Sequence, residues 1–187
     1  MSFPAVPIVL ASASADSTAL TNSTTATTIL HGSGVATIPA GALQVGSIIK
    51  ATLRGRISTL TAAPGTLTFD MRLGSVVISA LGAINLNTTA QTNASFELEL
   101  IAVIRALGAG TAANALVTGR FVSRAIIGNG AVSAAGVTAM ILPDTAPAVG
   151  TGFDSSAAQA VNIFGTWSVA NAANSITTHQ SITELKV

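Results

Sequence analysis

The chain has 187 residues, no cysteine, 8% charged residues and a formal net charge of +1, where an ordinary soluble domain carries roughly 25% charged residues. That length fits one domain with a real core, and the missing cysteines exclude disulfides, thiolate zinc sites and cysteine nucleophiles together. A near-neutral balance argues against nucleic acid, which demands a clustered excess of Lys and Arg.

Hydrophobic residues reach 49%, but the excess is alanine and β-branched residues, and most of the remainder is Thr, Ser, Asn and Gly. Such a surface is polar without being charged, so nothing keeps copies apart at long range. The sequence reads as a chain whose surface is meant to be covered by neighbours.

In chain order, the first feature is an apolar start with Pro4 and Pro7. Each proline blocks helix and favours extended backbone, and the stretch lacks the basic region of a signal peptide. The expectation is an extended N-terminal arm over residues 1–16, outside a domain spanning 17–187. Within it Phe3, Pro4, Val6, Pro7 and Ile8 are candidate assembly contacts, too apolar to sit free in water. The alternative is a strand on the edge of its own domain.

Period-two alternation follows over Ser47–Ser58, with Ile49, Ala51, Leu53, Gly55 and Ile57 on one face and Lys50, Thr52, Arg54, Arg56 and Ser58 on the other. Ala63-Pro64-Gly65 reads as a turn, and Thr66–Leu73 alternates again, so these two strands are predicted to form a hairpin. Ser95–Leu107 is a third clear strand, with Phe96, Leu98, Leu100, Ala102 and Ile104 opposite Glu97, Glu99, Ile101, Val103 and Arg105. Shorter strands are predicted over Thr24–Leu30, Val35–Ile38, Val76–Leu81, Leu116–Arg124, Val137–Leu142, Val161–Val169 and Ile176–Leu185. Many short strands with Gly, Pro and Asn between them predict an all-β fold, an antiparallel β-sandwich of jelly-roll type.

Chemistry is sparse. His31 sits in a turn and His179 in the last strand, with no nucleophile elbow around any serine and no spacing that suits zinc. Glu97 and Glu99 are neighbours on one strand face, but the outward Arg54, Arg56, Arg72 and Arg105 make a cross-strand ion-pair lattice the better account. Asp144 and Asp154 are isolated in loops, short of a calcium site. The uncharged stretches Ser17–Ile49 and Ser155–Thr183 are too rich in Thr, Ser and Asn to span a membrane, and seven aromatic residues cannot supply the girdles of an outer-membrane barrel. No catalytic residue, cofactor or metal is expected.

Two stretches carry a resemblance. Ile38-Pro39-Ala40-Gly41-Ala42-Leu43-Gln44-Val45-Gly46, leading into the Ile49–Ile57 strand, resembles a pattern of bacteriophage virion jelly-roll proteins. Thr166-Trp167-Ser168-Val169 through Asn174–Gln180 resembles the closing hairpin of the same group. The resemblance implies a non-enzymatic capsid decoration or cement protein, a homotrimer on the virion surface. Its partners would be the major capsid protein and other virion subunits, with assembly in the host cytoplasm. The alternative is a receptor- or glycan-binding head of a phage fibre or tail, for which Trp167 and Phe153 are the aromatic candidates. Trp167 shares its face with Val161, Ile163 and Val169, which points it into the core.

Overall fold

A computed structural model describes residues 6–60, 62–128 and 136–187. The described strands are β1 (Ile8–Ser12), β2 (Leu20–Thr21), β3 (Thr27–Thr28), β4 (Ala36–Ile38), β5 (Ile48–Thr59), β6 (Thr66–Leu73), β7 (Val76–Val77), β8 (Ala83–Asn85), β9 (Gln91–Ala106), β10 (Ala113–Ile127), β11 (Val137–Leu142), β12 (Val149–Phe153), β13 (Gln159–Trp167) and β14 (Ser175–Lys186). A 3-10 turn at Gly32–Gly34 is the one helical element among the described residues. The chain is all-β, as its alternating pattern requires.

Two antiparallel sheets face one another. The larger runs β1-β14-β5-β9-β10-β11, with β2 on β14 and β12 on β10. The smaller runs β3-β13-β6-β7, with β4 on β13 and β8 on β6. Pairing is nested along the chain: β1 with β14, β3 and β4 with β13, β5 with β9, and β6 with β7 and β8. Strands β10 to β12 intervene between β9 and β13 in sequence and widen the larger sheet, because β11 and β12 both pair with the far edge of β10.

Inward side chains of both sheets make one core. Trp167, Phe69, Phe121 and Phe153 are its largest fully buried members. Phe69 of the smaller sheet meets Phe121 of the larger with ring centroids 5.3 Å apart, and Phe121 meets Phe96 at 6.1 Å. These tilted contacts add to the area they bury. The Trp167 indole N–H donates to the Leu20 carbonyl at 3.1 Å, so its single polar atom is satisfied inside the core.

The long alternating runs appear with the faces expected of them. Phe96 is buried beside the outward Glu97, and Leu67, Phe69, Met71 and Leu73 all point inward. The predicted hairpin of β5 and β6 does not form. Strand β5 pairs with β14 and β9 in the larger sheet, whereas β6 pairs with β13, β7 and β8 in the smaller. Alternation assigns a buried face but no partner, and residues 60–65 are long enough to cross sheets packed about 10 Å apart. Asn174 fixes this crossover: fully buried, it accepts from the Leu60 N–H at 2.8 Å and donates to the Pro64 carbonyl at 3.1 Å. The tail is likewise a crossover and not a closing hairpin, since β13 lies in the smaller sheet and β14 in the larger.

The expected arm over residues 1–16 differs from the structure from Ile8 onward. Ile8–Ser12 is the edge strand of the larger sheet, paired with β14 through a bulge between Val9 and Ala11. The Ala13 N–H then donates to the Ser181 carbonyl, and the Ser17 N–H to that of Thr178. Pro7 closes off the strand at its start without interrupting a ladder, the position in which an edge tolerates proline.

Glycine matters where backbones approach closely. A Cβ on Gly55 would run into the Thr177 carbonyl and the Phe96 ring, and one on Gly150 into the Ile78 carbonyl. The second contact lets β12 lie against the segment after β7, at the sandwich edge.

Candidate interaction surface

The outward faces of the two sheets differ in charge. On the larger sheet, cross-strand partners align Lys186, Ile48, Val103 and Leu116 in one row and Glu184, Lys50, Ile101 and Thr118 in the next. A third row holds Ile182, Thr52, Glu99, Arg120 and Ile141, and a fourth Gln180, Arg54, Glu97, Val122 and Ala139. The register itself thus brings residues from five strands onto one surface.

An ion-pair ladder runs through its centre. Arg54 Nε donates to Glu97 Oε2 at 2.8 Å, Arg120 Nη2 reaches Glu97 Oε1 at 3.3 Å, and Lys50 Nζ lies 2.6 Å from Glu99 Oε2. The hydrogen bond from Arg54 holds the Glu97 carboxyl below its usual range, helped by the charges of Arg54 and Arg120 and opposed by partial desolvation. Two arginines on one carboxylate, with Lys50 on the next, make a cross-strand charge lattice.

The lattice is smaller than the sequence reading and differently built. Asp70 and Arg72 belong to the smaller sheet, where they pair with each other at 3.3 Å while the Arg72 guanidinium lies 3.9 Å from the Phe164 ring centroid. Arg56 donates instead to the Asn93 carbonyl, at 3.4 Å. Arg120, absent from the lattice the sequence predicts, joins it through Glu97. Its place was legible in principle, since an inward Phe121 turns Arg120 and Arg124 outward by simple alternation.

Of the candidate assembly contacts, Phe3 and Pro4 lie outside the described residues. Val6, Pro7 and Ile8 are exposed, Val6 at 72% and Ile8 at 59%, where the chain enters the edge strand β1.

The histidines are not brought together. His31 Nδ1 accepts from the Ser33 N–H at 3.2 Å and lies 2.8 Å from Ser33 Oγ, which in turn accepts from the Ser14 N–H at 3.0 Å. That arrangement caps the 3-10 turn. His179 Nδ1 lies 2.9 Å from Asp16 Oδ2 on the surface beside β14. Asp154 accepts from the hydroxyl and the N–H of Ser156, a local loop closure. Among the described residues no three His, Asp or Glu side chains are grouped as metal ligands, and no helix is long and apolar enough to cross a membrane.

No protein-family model matches the chain, and neither a curated protein nor a solved structure matches it.

Proposed function

We propose that this chain is a structural protein of a bacteriophage virion, a jelly-roll subunit that decorates and stabilises the capsid as a homo-oligomer, most simply a trimer. The observation that carries the reading is the nested pairing. A jelly roll is two Greek keys formed by wrapping one long antiparallel hairpin, so that the first strand pairs with the last, the second with the seventh, the third with the sixth and the fourth with the fifth. Counting β3 with β4 and β7 with β8 as single interrupted strands, and β10–β12 as an insertion, the nested pairing supports that order. This architecture is frequent in viral capsid domains.

Fold alone assigns no function, so two further features support the step. One is the resemblance at Ile38–Gly46. The other is the lack of charge over most of the surface, which lets copies pack with little desolvation cost. A closed trimer satisfies cyclic symmetry. Residues 1–8, with Phe3, Pro4, Val6, Pro7 and Ile8, then supply contacts to a neighbouring chain or the major capsid protein. The reading as a receptor- or glycan-binding head is weaker, because Trp167 and Phe153 are both fully buried and form no platform.

Electron microscopy of particles carrying the chain tests the proposal. Density at repeated positions of the capsid lattice is the expected result. Density confined to a tail tip would replace it with the receptor-binding reading.

A further inference from the structure

The outer face of the larger sheet holds a concentration of charge that the overall balance conceals. Seven of the eight cationic side chains lie on it: Lys50, Arg54, Arg56, Arg105, Arg120, Arg124 and Lys186. Only three of the seven carboxylates do, Glu97, Glu99 and Glu184. The outward positions of its strands therefore carry a formal side-chain charge of +4; the remaining −3 comes from Arg72 against Asp16, Asp70, Asp144 and Asp154. Of these, Asp16 lies against His179 of β14 and Asp144 beside Ala139 and Ile141 of β11, at the margins of the face.

Four of the seven cations, Arg56, Arg105, Arg124 and Lys186, have no carboxylate partner within ion-pair distance among the described residues. Arg124 and Arg54 flank a shallow depression of about 400 Å³ lined also by Glu97, Ser95 and Thr138. At the other end of the face, Ile48, Ile101, Val103 and Leu116 form an apolar strip.

From this geometry we infer that the outer face of the larger sheet is a docking surface for an acidic protein partner, whose carboxylates meet the unpaired arginines while its apolar side chains cover the Ile48–Val103–Leu116 strip. Resting on the decoration reading, this makes the partner an acidic patch of the capsid exterior. Five strands spaced about 4.8 Å apart and nine residues of about 3.3 Å rise give a face of roughly 600 Å², close to the ~800 Å² each partner contributes to a standard interface. A nucleic acid fits less well. Glu97 and Glu99 stand at the centre of the face and would repel a phosphate backbone, and the apolar strip would find nothing to bury against it.

The test uses the full chain, its double variant Arg56→Glu/Arg124→Glu, and Thr37→Glu, which adds a negative charge on β4 of the other sheet. Neither arginine has a carboxylate partner among the described residues, so the double variant is expected to keep its fold, which circular dichroism and thermal melting check. Binding is measured against capsids of the encoding virus that lack this chain, between about 50 and about 300 mM salt, over which the screening length falls roughly twofold. The inference expects wild-type binding that weakens with salt, a loss of about tenfold or more in the double variant, and no change in Thr37→Glu. Wild-type failure to bind capsids would overturn the decoration reading and the inference with it. Wild-type binding that is equally strong in the double variant would overturn the inference alone. Duplex DNA bound by the wild type at physiological salt and released by the same double variant would reassign the face to phosphate.

Discussion

Arg54 and Glu97 stand directly opposite one another on β5 and β9, and the Arg54 guanidinium closes on the carboxylate at 2.8 Å while Arg120 approaches it from β10. Three adjacent strands are thereby tied across their outer face by one side chain. Because all three groups remain partly open to solvent, the ladder specifies register more than it adds stability. Glu97→Gln is expected to cost no more than about 1 kcal/mol in chemical denaturation. A loss several times larger would mean that Glu97 has a role beyond the exposed lattice.

The same carboxylate sets a pH dependence. Its pKa is depressed in the folded chain, first by the Arg54 hydrogen bond. The unfolded chain therefore binds protons more readily in the acid range. The stabilisation from Glu97 is present above the usual carboxylate value of 4.5 and disappears as pH falls through the lower folded value. Melting temperature followed from pH 6 to about pH 3 should fall less steeply in Glu97→Gln than in the wild type.

Asn174 is the polar residue on which the sheet-to-sheet crossover depends. Truncation to alanine strands the Leu60 N–H and the Pro64 carbonyl in a buried region. Asn174→Ala is expected to lower stability by about 2–3 kcal/mol, read as a shifted denaturation midpoint with an unchanged slope. Asn174→Asp should not rescue it, because an ionised carboxylate keeps the acceptor but loses the donor to Pro64.

Gly55 makes a sharper steric prediction. It occupies an inward position on β5 where the Thr177 carbonyl and the Phe96 ring leave no room for a methyl group. Gly55→Ala should destabilise by about 1–3 kcal/mol through forced backbone displacement. Gly32→Ala, where a Cβ meets nothing within 4 Å, should be close to neutral.

Legibility in the sequence followed the range of the interaction. Period-two alternation placed Phe96, Leu98, Phe69 and Trp167 inward and Glu97 and Arg54 outward, because those choices are local to one strand. Partner choice was not local. β5 and β6 carry similar patterns, and nothing in Ala63-Pro64-Gly65 distinguishes a hairpin from a crossing between sheets. Short pieces such as β2, β8 and β12 were also missed, since each is held by a neighbour already in place and has too few residues for a pattern. The cationic face was hidden for the same reason: the count of +1 sums over the whole chain, whereas the register sorts its charges onto separate surfaces.

Self-association is the remaining consequence of that sorting. The smaller sheet presents Thr66, Thr68, Ala160, Asn162, Phe164 and Thr166 outward, and its two charges, Asp70 and Arg72, neutralise each other at 3.3 Å. The Arg72 guanidinium also lies over the Phe164 ring, 3.9 Å from its centroid. A neutral surface of this kind gives up little hydration when it packs against a different patch of an adjacent copy around a three-fold axis, whereas the outward +4 positions of the larger sheet repel another such face. Contact between copies should therefore involve the smaller sheet and leave the larger one free. Sedimentation velocity at micromolar concentration is expected to give a single species at about three times the 18.5 kDa chain mass. Thr68→Lys, placing an unpaired charge at the centre of the smaller sheet, should shift that species toward monomer while circular dichroism stays unchanged. A wild-type chain that sediments as a monomer at this concentration would remove the homo-oligomer. A trimer untouched by Thr68→Lys would instead move the contact to the β1 edge, where Val6, Ile8 and Val9 are exposed.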